Sequence, residues 1–421
     1  MTRCATSASS PRSPLPPFRL KGSPLKKIAF FTTHLPPDDH YGGVVATSAA
    51  LLAAHARAGF DVTAFCVGRA GAPVSTPSSA RVFKSPTLFF HRWGWAPRLR
   101  RTIRENLDSP DLAYVNGILT FPATLAAREL RARRVPCVVA TRGGMRRNAL
   151  SRGHLRKALF FRLWTIPSLR NSACIHATSL AEADDYRLFD LRSPVVIVPN
   201  GIDPHPFLFP ADHPPIEELL PTLAGRRLVL FMGRLSPEKN LETLLHAWKI
   251  AGPKCDNAVL VIAGPDDRRY LARLRSCARS LDLPDVLFPG MLRGGWKLAI
   301  YRRADLLVLP SLTESFGNVV LEALASGVPV LASDATPWKI LDEIDAGCSV
   351  PPRAAPLADA LASLLALSPA KLHNMGERGR ALVLRDYTWD IVVRKLMTVY
   401  DCVLAGKVPS LFPDPFPDRD S

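Results

Sequence analysis

Residues 314–322 read Glu-Ser-Phe-Gly-Asn-Val-Val-Leu-Glu, so two carboxylates lie eight positions apart near the predicted start of a helix. The preceding run, residues 304–310, is apolar and ends in Pro310. This pattern is typical of a buried parallel strand followed by a loop. Asn318 is predicted to cap the helix, which should end near Gly327.

The two carboxylates are predicted to face one crevice. Glu314 should lie in the loop at the carboxyl end of the strand, and Glu322 about one turn inside the helix. Free amide groups near Gly317 and Asn318 would form an anion site between them. Two acceptors for hydroxyl groups beside one site for phosphate favour a sugar nucleotide as the ligand.

A second segment has the composition of a diphosphate site. Residues 228–232 are predicted to form a buried strand that leads into residues 233–240 and then into a helical pattern. Gly233 lets the backbone approach a ligand, Arg234 offers a planar fork, and Lys239 adds a point charge near a helix start. The alternative is that both cations are ordinary surface residues, although the helix dipole would disfavour them there without an anion.

These motifs together resemble those of the retaining family 4 glycosyltransferases, which have the GT-B fold. The resemblance runs from about residue 27 to residue 401. The segments that carry it are Tyr41-Gly42-Gly43, Val198-Pro199-Asn200-Gly201-Ile202-Asp203, Gly233-Arg234 to Lys239-Asn240, Ile262-Ala263-Gly264, Pro310-Ser311 to Gly317 and Glu322, and Gly327-Val328-Pro329-Val330.

The resemblance implies transfer of a sugar from a nucleotide-sugar donor to a hydroxyl of a glycan or lipid-linked acceptor, with retention of anomeric configuration, in cell-surface polysaccharide biosynthesis. Arg234 and Lys239 would bind the donor diphosphate, and Glu314 would contact the donor sugar. The residues expected to line the donor site are Gly43, Gly233, Gly317, Asn318 and Glu322, with Glu322 on the ribose hydroxyls and Gly43 reaching the diphosphate from the other domain.

One segment departs from the family pattern. Many members carry a histidine in the loop where this chain reads Thr-Arg-Gly-Gly-Met at residues 141–145, so Arg142 stands near that position. Arg142 is interpreted either as a contact to a phosphate of donor or acceptor, or as a brace for the backbone. His176 is interpreted either as an acceptor-side contact or as a hydrogen-bonded core histidine.

The length and the alternation of apolar runs with helical patterns predict an α/β protein with two Rossmann-like, doubly wound domains facing a central cleft. By resemblance, a C-terminal helix returns to the N-terminal domain. The predicted division is a disordered basic tail at 1–25, an acceptor-side domain at 26–203, a donor-binding domain at 204–386, the returning helix at 387–405 and a flexible tail at 406–421.

The predicted strands are short and apolar. The N-terminal domain should contain strands at 27–31, 61–66, 112–115, 137–140 and 174–177, and a helix at 41–57. The C-terminal domain should contain strands at 228–232, 259–263, 306–309 and 329–331. The glycine pair at 42–43 lacks the third glycine of a dinucleotide fingerprint, which makes NAD binding unlikely on this pattern.

The excess of positive over negative charge lies entirely in the first half of the chain. Residues 1–200 contain 29 Lys and Arg against 11 Asp and Glu, whereas residues 201–421 contain 25 against 26. Basic and aromatic residues alternate at 90–104 and 142–170. This mixture favours an anionic membrane surface. Nucleic acid, or no partner at all on a basic solvated face, are the alternatives, and no nucleic-acid module is visible.

The sequence predicts a cytoplasmic protein, peripheral on the inner face of the membrane, because it has no long apolar run and no signal-peptide pattern. Eight scattered cysteines without a Cys-x-x-Cys pair are expected to be reduced.

No metal-ligand spacing appears, so a metal-independent reaction without a cofactor is expected. Fixed cations and helix amides would then neutralise the leaving diphosphate.

The sequence leaves three other functions open. A nucleotide-sugar epimerase or a noncatalytic sugar-nucleotide binder would use the same fold and cleft. An epimerase would need acid and base carboxylates in both halves of the cleft, and the first half offers only Asp38 and Asp39 nearby. A nucleic-acid-binding protein would leave the paired glutamates without a role.

Overall fold

A computed structural model describes residues 26–37, 43–69, 80–88, 93–145, 159–187, 189, 191, 193–209, 213–252, 257–267 and 269–409. Several predictions concern residues outside these ranges. They are the N-terminal tail at 1–25, Asp38 and Asp39, the first two residues of the predicted helix at 41–57, the basic run at 146–157 and the end of the C-terminal tail.

The first half of the chain forms a parallel sheet of seven strands. The strands are β1 (Lys27–Thr32), β2 (Asp61–Gly68), β3 (Ala80–Pro86), β4 (Leu112–Asn116), β5 (Cys137–Ala140), β6 (Cys174–Ala177) and β7 (Val195–Ile197). Their spatial order is β3-β2-β1-β4-β5-β6-β7. The order reverses between β1 and β4, which makes this the switch point of a doubly wound sheet.

The second half forms a parallel sheet of six strands. They are β8 (Arg227–Met232), β9 (Ala258–Ala263), β10 (Val286–Gly290), β11 (Leu306–Leu309), β12 (Val330–Ser333) and β13 (Gly347–Val350). The order is β10-β9-β8-β11-β12-β13, and the switch point lies between β8 and β11. The central strands β8, β9, β11 and β12 are almost entirely buried, which explains their apolar sequences, whereas the edge strands β10 and β13 are only partly buried.

Helices cover both faces of each sheet. In the first domain they are α1 (Gly43–Arg57), α2 (Leu99–Asn106), α3 (Phe121–Ala132), a π-helical turn (Phe161–Thr165) continuing into α4 (Ile166–Arg170), and α5 (Leu180–Arg187). The others are α6 (His205–Leu208), α7 (Leu241–Ala251), α8 (Tyr270–Ser280), α9 (Gly294–Arg303), α10 (Asn318–Ala325), α11 (Ile340–Glu343), α12 (Ala354–Leu365), α13 (Pro369–Asp386) and α14 (Trp389–Leu404).

The predicted fold class is confirmed: two parallel α/β sheets lie in succession along the chain. The sequence prediction omitted β3, β7, β10 and β13. β3 is only partly apolar, β7 has only three residues, β10 contains Pro289, and β13 reads Gly-Cys-Ser-Val, so none of the four has the longer apolar run of a central strand. Within the described ranges, no helix is both long and apolar enough to cross a bilayer.

The C-terminal helix α14 returns to the first domain. Its apolar residues, among them Val392, Leu396 and Val399, are buried in the same cluster as β1 and α1. At the centre of this contact Tyr400 donates its hydroxyl to Nε2 of His55 at 2.8 Å, while Nδ1 of the same ring bonds the Leu51 carbonyl. Burial lowers the pKa of His55 to about 4, so the ring is neutral at pH 7.

The chain crosses between the domains twice, and the two crossings lie side by side. Ile202 accepts the amide of Trp389 at 3.2 Å and donates its own amide to the carbonyl of Tyr387 at 2.8 Å. Gly201 lies directly against the Trp389 ring, where an added Cβ would be 2.6 Å from Cδ2. The crossing therefore requires glycine at 201 for space.

Gly201→Ala is expected to lower the melting temperature, because Trp389 is buried and cannot move aside without opening the contact of α14 with the first sheet. Overpacking of this kind costs about 1–3 kcal/mol. Gly252→Ala is the control, since nothing lies within 4 Å of its added Cβ. Differential scanning calorimetry of both variants tests the assignment, and equal melting temperatures for Gly201→Ala and the wild type would contradict it.

Candidate active site

The predicted site residues lie at the switch points of the two sheets. Gly43 begins α1 after β1, and Asn116 ends β4 in the first sheet. In the second sheet, residues 233–240 follow β8 and residues 310–317 follow β11. Because ligands of doubly wound sheets bind at such points, the topology places all these loops around one cleft.

The loop after β8 carries the two predicted diphosphate cations. Lys239 ends a 3₁₀ turn (Pro237–Lys239) immediately before α7 and pairs with the Glu314 carboxylate. Arg234 is half exposed, and the nearest carboxylate oxygen of Asp267 is 3.9 Å from its Nη1. Arg234 is thus more weakly engaged than Lys239 and has donors available for an anion.

Glu314 lies in the loop after β11, as predicted. Its Oε1 atom accepts hydrogen bonds from Lys239 and, at 2.9 Å, from Ser311 Oγ. Only 12% of the Glu314 side chain and 18% of the Lys239 side chain are exposed. The pair joins the two loops on either side of the switch point, so a ligand that attracts Lys239 also changes the environment of Glu314.

The start of α10 differs from the prediction in one respect. Gly317, with φ of +88°, precedes the helix, and the Asn318 side chain makes no capping hydrogen bond. The prediction that Asn318 caps α10 is therefore wrong. Its amide instead bridges the domains: Nδ2 donates to Thr47 Oγ1 at 3.0 Å, and Oδ1 accepts from Asn200 Nδ2 at 2.9 Å.

Gly43 lies close to this bridge. A Cβ on Gly43 would be 3.6 Å from Asn318 Nδ2, so the first residue of α1 faces the first residue of α10 across the cleft. A second bridge joins the carbonyl of Ser315 to the hydroxyls of Thr178 and Ser179, at 3.2 and 2.8 Å. The loop around Gly317 is therefore held by the first domain on two sides.

Glu322 lies inside α10, one turn from its start, as predicted. Its Oε1 accepts from Lys297 Nζ at 2.6 Å and its Oε2 from Tyr301 OH at 2.7 Å. Burial, reinforced by the Glu322 charge, raises the pKa of Tyr301 well above its usual value, so the tyrosine remains a donor. The two partners orient the carboxylate and leave further lone pairs for hydroxyl groups.

Arg142 is fixed by three neutral partners. Its Nε donates to Asn116 Oδ1 at 2.6 Å, Nη1 donates to Asn200 Oδ1, and Nη2 donates to Tyr114 OH at 3.2 Å. Since Asn200 also bonds Asn318, the guanidinium is connected to the interdomain bridge. Two N–H groups of the fork are not used in these contacts.

His176 lies in the core beneath Arg142. Tyr114 donates its hydroxyl to Nδ1 at 2.6 Å, and Nε2 donates to the Val198 carbonyl at 2.7 Å. Burial, together with the Arg142 charge, lowers the pKa of His176 to about 3. Both ring nitrogens are engaged and the side chain is buried, so this geometry is that of a satisfied core histidine and not of a ligand contact.

Glu182 holds the loop after β5 in place. One oxygen accepts from the Gly143 amide at 2.6 Å and Thr141 Oγ1 at 2.9 Å, and the other accepts from the amide and hydroxyl of Thr178. Burial acts to raise its pKa, but these hydrogen bonds outweigh burial and lower it, so the carboxylate is ionised. Glu182 thereby holds the residues on either side of Arg142. It also holds Thr178, which contacts the Ser315 carbonyl.

Sequence reasoning did not single out the partners that orient the predicted residues. Lys297 and Tyr301 are four positions apart on α9, a spacing that puts them on one helical face and could have indicated a shared contact. Asn200 entered the prediction only as part of the segment at residues 198–203, and Glu182 was not predicted to have a role. Among the described residues, no group of three or more His, Cys, Asp or Glu side chains could hold a metal ion, and no disulfide joins the six cysteines there to one another.

Two family models match the chain. Residues 41–205 match the family described as Glycosyltransferase Family 4, and residues 218–382 match Glycosyl transferases group 1. A phosphatidyl-myo-inositol mannosyltransferase from Mycobacterium leprae is 33% identical over 223 residues, which is 51% of this chain and 55% of the relative. The chain spans about half the length of the curated relatives it matches.

Solved structures agree on the fold. A sucrose-phosphate synthase from Thermosynechococcus elongatus superposes with a TM-score of 0.70 at 22% identity, covering 91% of this chain and all of the other. The Anabaena protein HepE in complex with UDP-glucose superposes with a TM-score of 0.69 at 18% identity, covering 89% of this chain and 99% of the other. At these identities the likeness shows the two-domain GT-B fold.

Arg142→Lys is expected to lower the melting temperature, because an ammonium group cannot span the three acceptors that the guanidinium joins. Loss of these bonds, with buried acceptors left unpaired, should cost about 1–3 kcal/mol. Thermal unfolding without ligand measures the effect, and the exposed Arg279→Lys on α8 is the control. An unchanged melting temperature would mean that Arg142 does not brace the loop and would favour a phosphate contact.

Proposed function

The chain belongs to the family 4 glycosyltransferases of GT-B fold, and on that basis we propose that it transfers a sugar from a nucleotide-sugar donor to an acceptor hydroxyl with retention of configuration. The observation that carries the proposal is the cluster of Arg234, Lys239, Glu314 and Glu322 at the switch point of the second sheet. The cluster faces α1 of the first domain across the cleft.

The donor would lie along the carboxyl edge of the second sheet. Its ribose hydroxyls would bond the Glu322 carboxylate, which Lys297 and Tyr301 already orient. Its diphosphate would lie between the two cations of the loop after β8 and the free amides at the start of α10. The sugar would then reach Glu314, the carboxylate next to these phosphate groups.

Retention follows from transfer on one face of the sugar. The bond from the anomeric carbon to the diphosphate oxygen breaks, the acceptor oxygen bonds to the same carbon from the same side, and the acceptor proton moves to the departing phosphate oxygen. Arg234 and Lys239 stabilise the negative charge that grows on the diphosphate. Glu314 serves as an acceptor for sugar hydroxyls, since this route requires no protein nucleophile.

The reaction is proposed to need no metal ion, because fixed cations and helix amides supply the charge that a divalent ion would otherwise provide. Turnover should persist in a metal chelator. Loss of turnover in chelator with recovery on adding a divalent ion would reject this part of the proposal.

The acceptor is proposed to be a glycan or lipid-linked sugar in polysaccharide assembly at an anionic membrane surface. The relative from Mycobacterium leprae is named for a lipid acceptor, and the excess of basic residues in this chain lies in its acceptor-side half.

Incubating the protein with UDP-, GDP- and ADP-sugars, first in a thermal-shift screen and then with acceptor, identifies the donor. NMR of the product would report the anomeric configuration, and inversion would reject retention. Conversion of a donor to its epimer without an acceptor would instead show an epimerase.

Arg234→Ala and Lys239→Ala should each lower kcat by about 10²-fold or more, since each removes charge stabilisation that increases as the phosphate leaves. Lys249→Ala is a matched control, because Lys249 belongs to α7 of the same domain but lies outside the cleft. Rates are measured on the donor found in the screen. Wild-type kcat in both variants would remove the two cations from the mechanism.

Glu322→Gln and Glu314→Gln are expected to have different effects. Glu322→Gln should weaken binding of the bare nucleoside diphosphate, because the amide loses the charge that bonds ribose hydroxyls and Lys297. Glu314→Gln should lower transfer more than it lowers diphosphate affinity. Calorimetry and steady-state kinetics separate the two, with the exposed Glu343→Gln on α11 as control. Unchanged diphosphate affinity in Glu322→Gln would show that the ribose assignment is wrong.

A further inference from the structure

An open apolar groove lies between outer helices of the first domain. One wall is α3 and the other is the π-helical turn with α4. The groove has a volume of about 970 Å³, at the upper end of the range of about 300–1,000 Å³ that small-molecule sites cover. It lies on the face of the first sheet opposite α14.

The lining is aromatic and exposed. Trp93, Trp95 and Trp164 are 38%, 38% and 46% exposed, and Leu163 is 52% exposed. The aromatic rings support one another, with Phe160 at 4.9 Å from Trp93 and 5.2 Å from Trp164 between ring centroids. A contiguous exposed apolar surface of this kind marks an interaction site.

The rim of the groove is basic. Arg128, Arg131 and Arg134 line it along and beyond α3, all three exposed, and within the described residues none of them forms an ion pair. Their neighbours Arg100 and Arg104 differ, since both pair with Glu129. Among the described residues, the arginine charges that line the groove therefore have no carboxylate beside them, whereas the two neighbouring arginines share one.

We propose that the groove docks an anionic phospholipid, with one acyl chain between α3 and α4 and the phosphate on Arg128, Arg131 and Arg134. The dimensions agree: α3 has 12 residues and is about 18 Å long, while an acyl chain spans half of a hydrocarbon core of about 30 Å. Tryptophans at a polar–apolar boundary beside arginines are typical of a membrane interface. The proposal rests on the proposed function only for placing the acceptor at a membrane.

Two other occupants fit the charges less well. A second copy docked about a two-fold axis would bring the arginine rims of both copies together. The chain's own last residues, 410–421, contain three aspartates and two phenylalanines and have some complementarity, but they also contain three prolines and one arginine. The anionic phospholipid matches both the apolar lining and the unpaired arginines.

The test uses the full chain and vesicles of phosphatidylcholine, with or without an equal part of phosphatidylglycerol brominated along its acyl chains. Bromine in the chain quenches the fluorescence of tryptophans that contact it. We expect binding and quenching with the anionic vesicles and neither with neutral ones. Equal binding to neutral vesicles, or binding without quenching, would overturn the proposal.

Two variants separate the roles of the rim and the groove. Replacing Arg128, Arg131 and Arg134 together by Gln should lower vesicle partitioning about tenfold or more, because each basic residue contributes up to about fivefold. The control replaces Arg275, Arg279 and Arg302 on the second domain, which keeps the net charge of the two variants equal. Ala127→Phe should fill the groove and abolish quenching, and Ala272→Phe on exposed α8 is its control.

The remaining outcomes are also decisive. Quenching that persists in Ala127→Phe, a dimer that dissociates only in that variant, or quenching that rises when residues 410–421 are removed would each give the groove another occupant and overturn the proposal. Transfer to a soluble acceptor should not change in any of these variants. Failure of transfer in the wild type with normal quenching would reject the enzyme function and leave the docking site standing.

Discussion

The geometry of the cleft depends on the place where the chain crosses twice between the domains. The outgoing segment at Ile202 and the returning segment at Tyr387 and Trp389 bond to each other through backbone groups, with Gly201 packed against the Trp389 ring. Because α14 then lies on the first sheet, the second domain is tied to the first at both of its ends. The distance between the two switch points, and so between Gly43 and Asn318, follows from this double crossing.

Within the cleft, acidic and basic groups are held in position by one another. Lys239 pairs with Glu314, and Lys297 pairs with Glu322, so each carboxylate that is assigned to a donor hydroxyl already has a cation beside it. Each pair is largely buried, and its partners therefore lose little freedom when a ligand binds. Arg234 is the exception, being half exposed and 3.9 Å from Asp267. Its weak contact with Asp267 leaves it freer than Lys239 or Lys297 to turn toward a diphosphate.

Strands that are buried and apolar could be predicted from the sequence. The place of a site residue along the chain could also be predicted where it lies in the loop that follows such a strand. Strands β8 and β11 and the loops after them carry Arg234, Lys239 and Glu314, and all were placed correctly on the chain. Contacts between distant segments could not be predicted. The side chain of Asn318 has the chemistry of a helix cap, yet Thr47 and Asn200 compete for it across the cleft. Local propensity carries no information about those two partners.

The two domains use similar sheets for different purposes. In the second domain, the loops at the switch point leave amides and Arg234 available to a ligand. In the first domain, the corresponding polar groups bond to one another: Arg142 to Asn116 and Asn200, and Glu182 to Gly143 and Thr178. The first domain thus contributes a rigid wall to the cleft. On the outer face of this domain, Arg128, Arg131 and Arg134 border the aromatic groove and form no ion pair among the described residues. Under the proposed function, charge in the cleft would bind the donor, whereas charge on the outer face would hold the protein at an anionic membrane.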